Sequence, residues 1–477
     1  MEKNIFVNSE IGSLKRLIIH SPDKGLGKVV PSKAQDWLFE DIIHLDSMRK
    51  NEYDYYVKLL LYFLDKPLIE GKIKKLDEDA SRNFYKPQHP DYFKSDNVIE
   101  FERLLVDILY LPEVKTQLIA AVSAVEKCSF MHLNQMADLG EKELCELFIT
   151  GSLPDGKMLF PPIPNLIFTR DIGIVVNDHL LMNKPAKYAR TRESLLAKYV
   201  FFNHPLFLDL KEKIIEITED ENHFLLSEEE QIGKVNTLEG GDVMMIAPNH
   251  LLIGISERTS IEAARQAIDL LFSKKVVSKV SLIKIPQKRD YMHIDTVFTQ
   301  IKRNVWVLLG SLGRSREDAQ REEIWEELGQ KPSYESLIIK QFIDKDGEVK
   351  IKNFDNLEDL LSSVTKDDLN CFEEVQFVYS GNNQFPFGAR EQWTDSCNLL
   401  VLKEGVAVGY DRNDQTALAF RNIGFQTMTA KEVLEKFESA ELQPETLSNT
   451  IIMLPSSELS RARGGSHCMS MPILRVL

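Results

Sequence analysis

The chain has 477 residues, 43% of them hydrophobic and 27% charged, with a formal net charge of −15. That length suggests about three domains of ~150 residues, or one large core with insertions. The acidic balance, with no long Lys/Arg block, argues against a nucleic-acid partner and leaves room for a small cationic substrate.

No run approaches the ~18 apolar residues of a membrane span, and the first residues lack a charged-then-apolar signal pattern. Five cysteines (Cys128, Cys145, Cys371, Cys397 and Cys468) are odd in number and form no C-x-x-C pair. A disulfide framework or zinc ribbon is therefore not expected, and the pattern suits a reducing cytosol.

In chain order, residues 13–20 read as a strand ending at Ser21-Pro22. Residues 46–66 read as an amphipathic helix, with Tyr53, Tyr56, Leu59, Leu60 and Phe63 at 3.6-residue spacing. From 96 to 150 the pattern stays helical. We expect a helical domain over 76–152 inserted between a first segment, 1–75, and the remainder, 153–477.

After the insertion the chain repeats itself as apolar strand, turn, second apolar strand and often a helix. The first strands are expected at Asn165–Val176, Asp242–Ile246, His293–Ile301 and Asn398–Leu402, and the N-terminal strand could open a further copy. Residues 311–380, with a helical run at Glu317–Leu328, read as an insertion or peripheral structure.

The first strand of each unit carries polar or ionisable residues near an apolar stretch: Asp171, Glu239 with Asp242, His293 with Asp295, and Asp395 with Asn398. In a pseudo-symmetric ring such positions converge at the centre. Strand periodicity places His293 and Asp295 on one face. Each motif alone has a plain structural reading, such as a neutralised histidine or a local ion pair at Arg170-Asp171.

Near the C-terminus, Cys468 follows Arg461, Arg463, Gly464 and Gly465. Basic neighbours favour a reactive thiolate, although a free cysteine is as often a buried one. Cys468 with His293 makes a nucleophile and acid/base pair. Several carboxylates beside a nucleophile would oppose an oxyanion, but they suit a cationic group, since paired carboxylates hold a guanidinium by charge-assisted hydrogen bonds. No H-E-x-x-H or C-x-x-C spacing supports a metal site.

The motifs Asn165-Leu-Ile-Phe168-Thr-Arg-Asp171, Glu239-Gly-Gly-Asp242, Gly254-Ile-Ser-Glu-Arg258-Thr, Met292-His293-Ile-Asp295-Thr-Val-Phe298, Arg390-Glu-Gln-Trp393 and the C-terminal Arg-x-Arg-Gly-Gly-x-x-Cys-Met-Ser-Met-Pro together resemble the arginine deiminases over almost the whole length. The resemblance implies an α/β pentein fold, a five-fold pseudo-symmetric propeller of ββαβ-like units with an inserted helical domain. It implies that Cys468 attacks the guanidinium carbon of L-arginine, that His293 protonates the departing ammonia and then activates water, and that citrulline is released. Asp171 and Asp295 would grip the guanidinium, and Glu239 would orient the histidine.

Asn165, Phe168, Arg190, Asp242, Arg258 and Arg463 would bind substrate, with Arg192 the alternative to Arg190. No metal or organic cofactor, no nucleic acid and no membrane is implied, and a cytoplasmic homo-oligomer is expected. Sibling readings are an amidinotransferase, a dihydrolase, a deiminase of another guanidine, or an inactive guanidine-binding protein. The chain departs from the family's pattern at Ala462, which a positive φ would strain, and at Ser466-His467.

Overall fold

Four of the expected strand-turn-strand pairs form antiparallel hairpins: Gly173–Val176 with His179–Met182, Val243–Ala247 with His250–Ile255, Phe298–Lys302 with Val305–Leu308, and Leu400–Lys403 with Val406–Tyr410. The structure is a computed structural model that describes residues 4–39, 41–233, 235–313 and 337–477. The run expected at Glu317–Leu328 lies outside these residues.

In every unit the second hairpin strand also pairs in parallel with a returning third strand. These are Ile214–Ile215, Lys279–Lys284, Gln376–Tyr379 and Thr450–Leu454. A parallel return needs a crossover, and a helix supplies it in each case: Thr191–Asn203, Ile261–Ser273, Leu357–Ser363 and Asp414–Asn422. The helix Ile261–Ser273 shows why. Ser260 accepts the Ala263 N–H through its side chain and opens the helix. Ala263, Ala264, Ala267, Ile268 and Leu271, at helical spacing, are buried in the core, and each large one contributes roughly 1.5–3 kcal/mol of transfer free energy.

The remaining unit is assembled from both ends of the chain. Met471–Val476 pairs antiparallel with Ser13–Ile19, which runs parallel to Val98–Glu100. The helix Asp54–Leu64 lies between these two strands in the chain. Phe6–Val7 adds a short parallel strand on the other side of Met471–Val476. These five ββαβ-like units are the pentein architecture that the resemblance implies.

Three expectations change in detail. The strand Val98–Glu100 belongs to the first sheet, so the helices Phe101–Leu109, Pro112–Val125, Phe130–Ala137 and Glu141–Thr150 begin after it. We propose 101–150, rather than 76–152, as the inserted unit. Residues 311–380 are not wholly peripheral, because Leu357–Ser363 and Gln376–Tyr379 complete the fourth unit and Leu357, Leu360 and Leu361 are buried in its core. Among the described residues of this stretch, the hairpin Ile338–Lys345 with Glu348–Phe354 instead extends the edge of the third sheet.

The third change concerns where the first strands start. Residues 165–172 and 294–296 form 3₁₀ turns, and the strands begin only at Gly173 and Phe298. His293 and Asp295 therefore do not share a strand face. Local bonds outcompete the ladder: Thr296 Oγ1 donates to the His293 carbonyl, and the Ile294 N–H donates to Asp242. Among the described residues no single helix is long and apolar enough to cross a membrane.

Candidate active site

Each unit's first strand is preceded by an irregular turn, and the ionisable residues sit in these turns rather than in the strands. Asp171 lies two residues before Gly173, Asp242 one before Val243, Asp295 three before Phe298, Asn398 two before Leu400 and Cys468 three before Met471. Five equivalent turns thus bring their side chains toward a common centre.

A narrow cavity of about 40 Å³ opens there. Its walls include Cys468, His293, Glu239 and Asp171, with Asn165, Phe168, Arg190, Arg258 and Arg463 of the expected substrate residues. Leu38, Met292, Thr296, Asp395, Ala462 and Gly464 complete the lining. A wider cavity of about 620 Å³ shares Leu38 and Arg258 with it.

His293 Nε2 bonds Glu239 Oε2 at 2.9 Å, and Glu239 Oε1 accepts the Ala186 N–H. Burial alone would lower the imidazole pKa, but Asp171, Glu239 and Asp242 outweigh it and raise it to about 10. His293 is therefore an imidazolium at neutral pH. The ring lies against the Gly241 backbone, where a Cβ would come within 2.5 Å of Nδ1, so only glycine admits this approach. The Gly241 N–H in turn donates to Asp171 Oδ1.

Asp171 Oδ2 takes Arg190 Nη1 at 2.6 Å. Burial raises the Asp171 pKa, but Arg190 and His293 bring it well below the usual carboxylate range. Glu239 is lowered too, burial being outweighed by the His293 hydrogen bond and Arg190.

Cys468 is buried. Its N–H donates to Asn398 Oδ1, and its thiol donates to Asp295 Oδ2 at 3.5 Å. The same Asp295 oxygen bonds His467 Nδ1 at 2.9 Å, and His467 Nε2 reaches Glu10, which pairs with Arg170. Asp295 Oδ1 is buried without a partner. Burial, then Asp295, Asp171 and Asp395, push the thiol pKa well up, against a hydrogen bond with Asn398. Without a bound cation, Cys468 is a thiol.

Three guanidiniums face the cavity with donors to spare. Arg190 Nη2, Arg258 Nε, and Arg463 Nε and Nη1 are buried without a hydrogen-bond partner. Buried donors are normally satisfied, so these mark where an anionic ligand group would be received. Arg463 is held by stacking on Trp393 at 3.8 Å and by a bond to the Asp290 carbonyl. Arg192 is engaged elsewhere, with Glu126 and the Phe160 ring, so the geometry favours Arg190 as the cavity residue.

Two expected residues do not line this cavity. Asp295 lies beneath the thiol. Asp242 is fully buried and accepts bonds from Ser256 and the Ile294 N–H; burial raises its pKa to about 7, against His293 and these bonds. Asp242 holds the turn that carries His293 through the Ile294 N–H.

Ala462 is not strained, since it ends the short helix Leu459–Ala462. The positive φ falls on Arg463, at 59°, and on Gly464, whose missing Cβ makes room for the Phe168 ring. Ser466 is also integrated, donating to the Val408 carbonyl and accepting the Leu400 N–H.

Leu38, Asp395, Met292 and Thr296 were not singled out as substrate contacts. Met292 and Thr296 were within a quoted motif. Leu38 has no such signal, since it reaches the site from a loop at positive φ.

Asp171, Glu239 and His293 also lie close enough together to share a cation, with ligand atoms within 4.8 Å of one another. The donor set fits a metal poorly. Both carboxylates already face the Arg190 guanidinium, at 2.6 and 3.6 Å, and an imidazolium has no lone pair to give.

The family model described as arginine deiminase matches residues 113–475. An arginine deiminase of Oenococcus oeni (strain ATCC BAA-331 / PSU-1) is 30% identical, covering 99% of this chain and 97% of that protein. One of Staphylococcus aureus (strain JH9) is 28% identical, covering 99% and 98%. Among solved structures, an amidinotransferase from Microseira wollei in the saxitoxin pathway aligns with TM-score 0.45 at 12% identity, over 99% and 97% of the two chains. Dimethylarginine dimethylaminohydrolase, in an adduct with S-methyl-L-thiocitrulline, aligns with TM-score 0.43 at 11% identity, over 96% and 99%.

Proposed function

The chain belongs to the arginine deiminase family, and on that premise we propose that it hydrolyses free L-arginine to L-citrulline and ammonia, with Cys468 as the nucleophile. The observation that carries the reading is the cavity in which a thiol, an imidazole ring and three carboxylates (Asp171, Glu239 and Asp395) meet three guanidiniums with unpaired donors. The carboxylates suit the cationic end of arginine. The guanidiniums suit its α-carboxylate, which agmatine lacks.

The chemistry follows from the charges. In this scheme the substrate guanidinium pairs with Asp171 on the cavity wall, displacing Arg190 from part of its contact, while Asp295 acts on it from beneath the thiol. A cation beside Cys468 offsets the three carboxylates that hold the thiol protonated, so the thiol gives its proton to water as arginine binds. The thiolate adds to the central carbon, and the imidazolium of His293 gives its proton to the departing nitrogen, which leaves as ammonia. This produces an S-alkylthiouronium on Cys468. Neutral His293, oriented by Glu239, then takes a proton from a water that attacks the same carbon, and the carbon–sulfur bond breaks to release citrulline. His293 carries the protons exchanged with the departing ammonia and the attacking water, and the scheme invokes no metal or organic cofactor.

We also propose a cytoplasmic location, supported by five cysteines of which none is in a disulfide. A homo-oligomer is proposed on the strength of exposed apolar side chains such as Phe130, Met131, Phe224 and Leu225. Purified protein incubated with arginine should yield citrulline and ammonia in equal amounts. Ornithine as the main product would replace simple deimination with a sibling reaction, and no turnover of arginine would refute the proposal.

A further inference from the structure

A separate cavity of about 250 Å³ lies where the first unit meets the inserted helices. Its walls include Arg49, Tyr85, Lys86, Gln88, Glu102 and Thr150, and none of its lining is shared with the active-site cavity. Two cations here are without a counter-ion. Arg49 uses its Nε on the Pro22 carbonyl, and Lys86 has a weak bond to the Asn83 side chain. Among the described residues neither has a carboxylate within ion-pair distance.

The other charges at this cavity balance one another more closely. Lys24 pairs with Glu146. Asp23 and Glu100 share His20, whose pKa is raised to about 10 by these two partners against the effect of burial. Glu102 accepts from Gln88 and is pushed up to about 7, chiefly by burial, so near neutrality it carries only part of a charge. Arg49 and Lys86 therefore stand as a pair with no carboxylate in direct contact, Asp79 and Asp46 acting on Lys86 only from beyond ion-pair distance. Lys86 is held below its usual pKa by burial first and by Arg49 next.

A second, independent observation lies between them. Tyr85 borders the cavity and is 0% exposed, yet its hydroxyl has no hydrogen-bond partner. The charge that acts most strongly on that hydroxyl is Arg49. A buried hydroxyl is rarely left unpaired, and like charges face each other at a cost unless an anion sits with them. An unpaired donor and two unpaired cations on one small cavity have the chemistry of a phosphate cradle.

We propose that this cavity binds a phosphate group, either as the free ion or borne on a small organic molecule, through Arg49, Lys86 and the Tyr85 hydroxyl. The turn that carries Arg49, Met48–Tyr53, also carries Glu52. The Glu52 carboxylate accepts the N–H groups of Glu458 and Leu459, directly ahead of Arg463. The site thus lies one turn of chain from the segment that leads into the Cys468 loop.

Isothermal titration of the full-length protein with inorganic phosphate and with glycerol 3-phosphate, at matched ionic strength, tests this. Saturable binding is expected for one or both, and the tighter of the two tells whether the cavity takes the bare ion or an ester. Lys86→Gln and Arg49→Ala should each weaken it about tenfold or more, since each removes a charge-assisted hydrogen bond. Tyr85→Phe removes only the hydroxyl and should weaken it about threefold to tenfold; it keeps the test alive if Arg49→Ala fails to fold. Arg258→Ala, which alters the active-site cavity, should leave the affinity unchanged. No binding of either compound by folded protein would overturn the proposal. So would binding that Arg258→Ala abolishes while Lys86→Gln and Tyr85→Phe do not affect it.

Discussion

Replacing Gly241 with alanine perturbs one contact that the proposed chemistry depends on. The added Cβ would lie 2.5 Å from His293 Nδ1, 2.6 Å from its Cγ and 2.9 Å from its Cβ. The ring must withdraw by about 0.5 Å to reach the shortest tolerated separation, and by about 1 Å to reach ordinary contact. It is tethered on its far side by the 2.9 Å bond to Glu239, so withdrawal tilts Nε2 away from where the leaving nitrogen would lie. A misplacement of ~1 Å at a reacting group costs about 10²-fold in rate, while overpacking one methyl costs about 1–3 kcal/mol of stability.

Gly241→Ala should therefore remain folded by thermal denaturation, with kcat for citrulline formation down about 100-fold and arginine binding much less affected. A variant that melts like wild type and keeps kcat within threefold would refute the reasoning. Either the ring would not be wedged against this backbone, or its position would not matter to the reaction.

Cys468→Ala should abolish citrulline formation yet leave arginine binding measurable by calorimetry; substantial residual turnover would remove Cys468 from its role. Arg258→Ala and Arg463→Ala should each raise KM for arginine about tenfold or more while changing agmatine turnover little, because a charge-assisted bond to a carboxylate is lost only with arginine. Equal losses on both substrates would contradict the carboxylate clamp. His293 should also appear in the pH dependence of stability. Its folded pKa, about 10, lies above its unfolded value near 6.5, so its contribution is fully present below about 6.5 and lost as pH rises toward 10. The difference in unfolding free energy between wild type and His293→Asn, measured in urea, should shrink over that interval; a difference that grows would reverse the assigned sign.

The hairpins were legible because a short apolar run, a turn and a second apolar run is a local pattern. Val98–Glu100 was not, since a three-residue strand leaves almost no periodicity, and its place in the sheet is set by Leu17–Ile19 about 80 residues earlier. The fourth unit was obscured because its crossover spans some 70 residues, from Val305–Leu308 to Gln376–Tyr379.

Within the candidate site, Cys468, His293, Glu239, Asp171, Arg258 and Arg463 could be named because motifs carry them. Their geometry could not. Reading His293 and Asp295 as one strand face missed the 3₁₀ turn that points the first at Glu239 and the second at Cys468. The Glu-Gly-Gly-Asp motif puts Asp242 among the substrate residues, and nothing in it discloses the bonds to Ser256 and Ile294. Leu38 arrives through a loop conformation that no spacing rule encodes.

The pairing of Met471–Val476 with Ser13–Ile19 bears on how the molecule comes into being. The sheet that follows the Cys468 turn holds strands separated by some 450 residues of chain. Contacts that distant pay a large loop-closure entropy before they are rewarded, so they belong to the slow, late steps of folding. A growing or truncated polypeptide that stops short of these strands leaves the first unit with a gap between Phe6–Val7 and Ser13–Ile19. The same missing piece carries the sulfur. With Cys468 in its proposed role, structural completion and chemical competence become one event.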